Sequence, residues 1–315
     1  MSHRLFPVSV LAIALVFVAA LAMGAEPSLS DSGLFARSNL VAWCIVPFDA
    51  KKRTPEQRAE MLDRIGIHRF AYDWRDEHLP TLEAELAALK KHDIELTAVW
   101  FPAALDRNAR LILDTLKAHR LTPQLWVMAQ IEPTGGKDDT VARAADTIAP
   151  VAREAQAIGC KVALYNHGGW FGEPENEIAI IERLRRAGIT NVGMVYNLHH
   201  GHEHLAHFPE LLGKMKPYLM ALNLNGMNDG GDKAGEKILP LGRGALDVRL
   251  LKTIRESGWT GPVGILNHTD EDAEGRLLDN LAGLDWLLPQ LDGKAAGPAP
   301  ALRTYRPAAA APAGN

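Results

Sequence analysis

Between Leu40 and Leu288 the sequence alternates repeatedly between short apolar runs and longer stretches whose apolar residues recur at helical period. No other feature restricts the fold as much. A strand that is apolar on both faces needs cover on both sides, and a helix after each strand supplies it when the strands run parallel. Leu40–Val46 is such a run. Thr54-Pro55-Glu56-Gln57 follows as N-cap, first-turn proline and capping-box glutamine ahead of Met61, Leu62 and Ile65, and Gly66 stops that helix.

The same reading predicts strands at Arg69–Asp73, Glu95–Phe101, Gln124–Ala129, Lys161–Asn166, Val192–Asn197, Tyr218–Asn223 and Pro262–Asn267. It predicts helices at Thr81–His92, Asp106–His119, Thr140–Ile158, Pro174–Ala187, Leu205–Lys214, Asp247–Ser257 and Asp270–Leu288. Eight strand–helix units with right-handed crossovers describe a single-domain α/β (β/α)8 TIM barrel over residues 34–291. An open doubly wound sheet would carry a glycine-rich turn after its first strand, and Pro47-Phe48-Asp49-Ala50 is not one.

The ends read differently. His3 and Arg4 precede an apolar run from Val8 to Met23, and Ala22-Met23-Gly24 offers a small-residue cleavage site, so residues 1–24 are expected to be a signal peptide. Residues 25–33 then form a flexible segment. The apolar run is shorter than the ~20 residues of a membrane span, so no stable span is expected after cleavage, and the protein should be exported, to the periplasm or beyond. Residues 292–315 are rich in Ala, Pro and Gly and are expected to be a disordered tail. Cys44 and Cys160 lie in apolar, strand-like contexts and are expected to be buried free thiols. The net charge of −4 carries no basic excess for nucleic acid.

In a barrel of this kind the working residues sit where strands end and βα loops begin. Those ends are polar: Asp73-Trp74-Arg75, Trp100-Phe101, Gln130 and Glu132, Tyr165-Asn166-His167, Asn197-Leu198-His199-His200, Asn223-Leu224-Asn225 and Asn267-His268. Asn and His grip hydroxyls through paired donors and acceptors. The faces of Trp74, Trp100 and Trp170 suit the C–H face of a sugar ring. Together with Tyr165, Asn166, Asn197, Asn223, Asn225 and Asn267 they form the expected carbohydrate-binding set. Within His199-His200-Gly201-His202-Glu203-His204 only one or two imidazoles can face the site, and His200 is favoured by its spacing from Asn197. Glu173 or Glu175, after the glycine-rich loop 168–172, could reach inward or serve the first turn of a helix. Thr134–Asp139 reads as a solvated loop leading into a helix.

At Asn197-Leu198-His199-His200 the chain resembles the xylose isomerase-like TIM-barrel superfamily, whose sixth strand commonly ends in Asp-x-x-His. Tyr165-Asn166-His167 is similar to the Glu-x-His of its fifth strand. Asn223 corresponds to the strand-seven His, and Leu266 or Asn267 to the strand-eight Glu. Leu239–Asp247 resembles the Gly-x-Gly-x-x-Asp stretch before the last helix. The resemblance implies sugar isomerase or epimerase chemistry with a divalent ion held by two Glu, one Asp and one His. Here those places hold Tyr, Asn, Asn and Leu or Asn, which lack the carboxylate charge that magnesium or manganese needs. Imidazoles of His167, His200 and His268, with Glu132, would instead suit zinc or a similar ion.

Two functions follow. The first is proton transfer next to a carbonyl of an unphosphorylated saccharide or keto-sugar (isomerisation, epimerisation, or a lyase or hydratase variant), with His200, His167 or Glu132 as base. The second is a barrel that binds carbohydrate without chemistry, having lost the family metal. A nuclease fits neither the charge nor the missing acidic ligands.

Overall fold

The computed structural model describes Met1 and residues 33–305; the expected signal peptide, most of segment 25–33 and the tail beyond Tyr305 lie outside the described residues. Eight parallel strands close on themselves in sequence order, β1 pairing with β8. The strands are β1 (Leu40–Trp43), β2 (Arg69–Tyr72), β3 (Glu95–Phe101), β4 (Gln124–Val127), β5 (Lys161–Tyr165), β6 (Val192–Asn197), β7 (Leu219–Leu224) and β8 (Val263–Leu266). The helices are α1 (Pro55–Ile65), α2 (Leu82–Lys91), α3 (Arg107–His119), α4 (Lys137–Ala157), α5 (Pro174–Arg186), α6 (Phe208–Met215), α7 (Asp247–Glu256) and α8 (Ala273–Leu291). The expected (β/α)8 barrel is borne out. No described helix is long and apolar enough to cross a membrane.

Local chemistry sets the element ends. Thr54 and Gln57 form the capping box of α1, and Gly66 ends it in the left-handed region at φ 76°. Asp106 caps α3 through the Ala109 amide. α4 starts earlier than periodicity alone indicated, because the Asp139 carboxylate accepts from the Gly136 amide and stabilises another turn. β1 is shorter than its apolar run: Cys44 adopts φ 60°, which a strand cannot continue through. The histidine-rich stretch after β6 is two 3-10 turns, Leu198–His200 and His202–His207, rather than an open loop.

Inside the barrel, Val41, Trp43, Ala71, Ala98, Trp126, Ala163, Tyr165, Val195, Ala221 and Leu266 form one cluster. Four alanines on facing strands make the room that the indoles of Trp43 and Trp126 fill, edge to face at 4.7 Å. Burial of two such rings contributes roughly 2–3 kcal/mol each. A larger apolar layer packs the outer faces of the strands against the helices. The seam between last and first units is tied by Asp49, which accepts from the Ala273 amide, and by Arg53, which reaches both Asp49 and Asp272.

One expectation needs correction. The stretch 292–305 is held, not free. The buried Asp279 carboxylate on α8 accepts from the Arg303 amide (2.7 Å), the Thr304 amide (2.8 Å) and the Thr304 hydroxyl (2.8 Å). Trp286 donates to the Gly297 carbonyl and Arg243 to that of Pro300. Composition predicted disorder because few side chains here can pack. The backbone does the docking, drawn by a carboxylate that needs partners. Cys44 and Cys160 are both buried and free.

Candidate functional site

Alternation along each strand decides what faces the barrel axis. Tyr165 and Leu266 belong to the interior cluster, and Val195 and Ala221 carry the same face forward to Asn197 and Asn223. Ala71 likewise carries it to Asp73. Asn267 points the other way and donates to the Ala273 carbonyl at 3.0 Å, so Leu266, not Asn267, occupies the interior position at the tip of β8.

The amides at the tips of β5, β6 and β7 form a continuous hydrogen-bonded run. Asn166 Oδ1 accepts from the Asn197 amide (2.8 Å) and from Asn197 Nδ2 (2.9 Å), while Asn166 Nδ2 donates to the Asn197 carbonyl. Asn197 Oδ1 accepts from Asn223 Nδ2 at 2.6 Å. The run ends at Asn223 Oδ1, which is buried without a partner and lies over Gly264, where any Cβ would overlap it. Asn225 donates to the Gly226 carbonyl, and its own carbonyl is unpartnered.

Four imidazoles follow. His167 and His200 have ring centroids 4.4 Å apart, His200 and His199 3.8 Å, and His199 and His268 6.1 Å. His199 is 2% exposed, and neither ring nitrogen has a partner; His200 Nε2 is also unpartnered. Burial drives the pKa of His199 well down and that of His200 to about 3, with neighbouring imidazoles and Lys237 adding to the effect. Burial, with Lys237 or Arg75 nearby, also lowers His167 and His268. At neutral pH the cluster is uncharged.

Across the mouth stands Asp73, 2% exposed at the tip of β2. Its Oδ1 accepts from the Val46 amide at 3.2 Å and its Oδ2 has no partner. Burial pushes its pKa up to about 7 against the opposing pull of Arg75. Arg75 donates to the carbonyls of Asp73 and Trp74 and stacks over Phe48, whose ring lies 3.9 Å from that of His268. Beside this group Tyr165, His167, Glu132, Gln130 and Trp170 line a cavity of about 400 Å³ between the loops after β4 and β5. A larger depression of about 740 Å³ lies at the opposite end, around Arg37, His68, Arg69 and Glu95. That end of a barrel serves stability, and Arg69 is already paired with Glu95 there.

The structure thus brings Tyr165, His167, Trp170 and Glu132 to one cavity and sets Trp100 edge-on to Tyr165 at 5.0 Å. Other expected residues go elsewhere. Trp74 is 7% exposed and spends its indole N–H on the Trp100 carbonyl (2.7 Å), so it packs rather than presents a face. Asn267 is committed to the start of α8. Glu175 pairs with Lys214, and Glu173 with His204 at 3.2 Å, so neither turns inward. The expected three-imidazole metal set of His167, His200 and His268 is not assembled, because His199 stands between His200 and His268 and His268 is drawn onto Phe48. Among the described residues the group of His, Cys, Asp or Glu with ligand atoms within 4.8 Å of one another is Glu56, Glu60 and His92. It lies on the outer helices α1 and α2, where Lys91 and His92 already pair with Glu56.

Two residues were missed from sequence. His199 was passed over because strand alternation stops at Asn197, and only the 3-10 turn rotates His199 inward. Asp73 was placed at the strand-two end of the rim but given no role, since residue type alone does not show that it is buried with one oxygen unpartnered.

A closed barrel with a polar mouth at its strand tips defines a class, and comparison gives the family. Residues 61–289 match the model of the xylose isomerase-like TIM barrel, and the chain belongs to that family. Comparison with curated proteins gives no match. Among solved structures it is similar to the 3-keto-D-glucoside 4-epimerase of E. coli (13% identity, TM-score 0.58, 80% of this chain and 99% of that one). It is also similar to the IolI protein with a bound zinc atom (16% identity, TM-score 0.61, 80% and 99%). A third is the D-psicose 3-epimerase of Clostridium cellulolyticum H10 with D-tagatose (12% identity, TM-score 0.54, 80% and 99%). At such identities the likeness is one of fold.

Proposed function

We propose that this chain is an exported sugar isomerase- or epimerase-like enzyme, moving a proton at a carbon next to the carbonyl of an unphosphorylated saccharide or keto-sugar. One observation carries the reading: buried polar atoms without partners stand at the C-terminal ends of the strands, at Asp73 Oδ2 after β2, both nitrogens of His199 and His200 Nε2 after β6, and Asn223 Oδ1 on β7. Buried polar groups are costly unless satisfied, and a polyol offers both donors and acceptors to satisfy them. The epimerase neighbours, one of them solved with D-tagatose, support the same substrate class.

The base role moves from His200 to Asp73. An imidazole whose pKa is about 3 holds a proton too weakly to abstract one from carbon. A carboxyl poised at about 7 with one free oxygen is far better matched to the task. Asp73 takes the proton, and the C–H electron pair moves to the carbonyl oxygen. A neutral imidazole N–H from His199 or His200 stabilises the enediolate, as preorganised donors do. Asp73 then returns the proton to the neighbouring carbon on the same face while the hydroxyl proton passes to the former carbonyl oxygen, which is isomerisation. In epimerisation a solvent proton reaches the first carbon from the opposite face and Asp73 releases its own to water. His167, Glu132, Trp100 and Trp170 bind the rest of the sugar.

The test is solvent exchange. Monosaccharides and their keto derivatives are incubated with enzyme in D2O and followed by NMR for deuterium at the carbon next to the carbonyl. Incorporation by wild type and its loss in Asp73→Asn support the reading; undiminished incorporation in that variant sinks it. The amide run favours a second reading, a sugar binder without chemistry, for which saturable sugar binding with no exchange would be the result.

A further inference from the structure

We infer that the mouth works without a metal ion at the tips of β5 to β8, where the family resemblance implies one, the ion's place being taken by the hydrogen-bonded amides of Asn166, Asn197 and Asn223. The inference rests on the proton-transfer reading above but is decided by separate measurements.

The donor set does not suit the ion it would have to hold. At the four interior tips stand Tyr165, Asn197, Asn223 and Leu266, with no carboxylate among them, and Leu266 offers no donor atom. Asn197 offers only one neutral oxygen, and one of its two lone pairs is already taken by Asn223 while its Nδ2 is bonded to Asn166. Breaking the 2.6 Å contact to free that oxygen would strand the Asn223 N–H in a buried place. Asn223 Oδ1 is a single neutral oxygen, clamped over Gly264.

Charge points the same way. A hard divalent cation owes its affinity to carboxylate oxygens, and a buried doubly charged ion without compensating charge carries a large desolvation cost. Asp73 and Asp247 are buried carboxyls on this side, and Asp247 is spent on the amides of Met227, Gly242 and Gly244. Asp73 follows β2, and its Oδ1 accepts from the Val46 amide after β1, so it is not one of the residues at the β5 to β8 tips. Softer ions would look to the imidazoles, but no three of these present ligand atoms within 4.8 Å of one another. They lie in file from His167 through His200 and His199 to His268, rather than around a point.

The amide run is suited to another task. Its terminal Asn223 carbonyl, with the Asn225 carbonyl and the His199 nitrogens, makes an uncharged surface of fixed donors and acceptors. Such a surface reads hydroxyl positions without drawing cations from solution, and Asp73 stays free of a competing ion as it takes up and returns its proton.

The experiment uses the full chain carrying Glu56→Gln, which removes the outer cluster on α1 and α2 as a source of adventitious metal. Protein dialysed against zinc, manganese or magnesium and then against buffer is analysed by mass spectrometry for metal content. Calorimetric titration with Mn²⁺ and with Zn²⁺ follows. The expected result is no stoichiometric metal, no saturable heat, and deuterium exchange indifferent to chelator. A stoichiometric ion that survives dialysis and is lost in His199→Ala or Asn197→Ala overturns the inference, whatever the exchange assay shows. Absence of metal together with absence of exchange on every sugar leaves the inference standing and removes the proton-transfer reading instead.

Discussion

Strands β1 to β4 bring to the mouth a carboxyl, a guanidinium and the indole of Trp100, whereas β5 to β8 bring a phenol, a run of amides and a file of imidazoles. The first half holds a group able to change charge near neutral pH, Asp73 at about 7. In the second half burial also pushes Asp247 up to about 7, but both its oxygens are bonded to the amides of Met227, Gly242 and Gly244, and burial lowers the imidazoles of His167, His199, His200 and His268. Under the proposed function, proton movement belongs to Asp73 on one side and recognition to the amides and imidazoles on the other. The family resemblance puts carboxylates on the second side, where this chain has Tyr165, Asn197, Asn223 and Leu266.

Exchanging Asp73 for Asn should have the largest effect. It keeps the side chain's size and an acceptor for the Val46 amide, while removing the base. Exchange into the carbon next to the carbonyl should fall about 10²–10⁴-fold, measured by NMR in D2O. The wild-type rate should rise with pH through about 7 and then level off, since the carboxylate form is the active one. The same group makes stability run the opposite way. Its folded pKa lies above the ordinary 3.8, so its contribution is fully present below about pH 4 and is lost as pH rises through 7. A shift of that size corresponds to at most about 4 kcal/mol. Asp73→Asn should thus unfold at a higher temperature than wild type at pH 8, and near-equal melting temperatures there would show that Asp73 is not desolvated as described.

The second half should fail differently. Gly264→Ala places a methyl where Asn223 Oδ1 lies, so the amide must move and the run to Asn197 and Asn166 breaks. A cost of about 1–3 kcal/mol is expected in denaturant unfolding, together with weakened sugar binding by calorimetry. His199→Ala should slow exchange about 10²-fold, as loss of a fixed donor to an oxyanion does, and leave the pH midpoint near 7 because the base is untouched. A midpoint displaced by more than its error would place His199 in the proton path and merge the two halves.

What could be read from the sequence follows the same division. Helix caps and the strand–helix alternation rest on neighbours in sequence, so Thr54, Gln57 and Gly66 were identified by residue type alone. The rim was legible too, because strand ends follow from period. Within the site, legibility stopped where the chain leaves regular structure. Asn197 can be placed by counting from Val195, but His199 lies past the strand in a 3-10 turn whose rotation no period foretells. Trp74 shows the converse failure: residue type suggested a sugar platform, while its burial and its bond to the Trp100 carbonyl arise from a strand distant in sequence. The docked tail at Asp279 is likewise a tertiary contact that composition cannot show.

The smallest expected effect separates the indoles. Trp74→Phe removes one N–H and leaves the Trp100 carbonyl without its 2.7 Å partner, which should cost about 1 kcal/mol of stability. Because the ring is buried, sugar affinity should not change. Trp170→Ala, in the wall of the cavity beside His167 and Glu132, should do the reverse, weakening binding with little change in melting temperature. Calorimetry and thermal unfolding of the two variants side by side decide it. Equal losses of affinity would mean that Trp74 reaches the ligand, and that the charged half of the mouth takes part in recognition as well as in proton transfer.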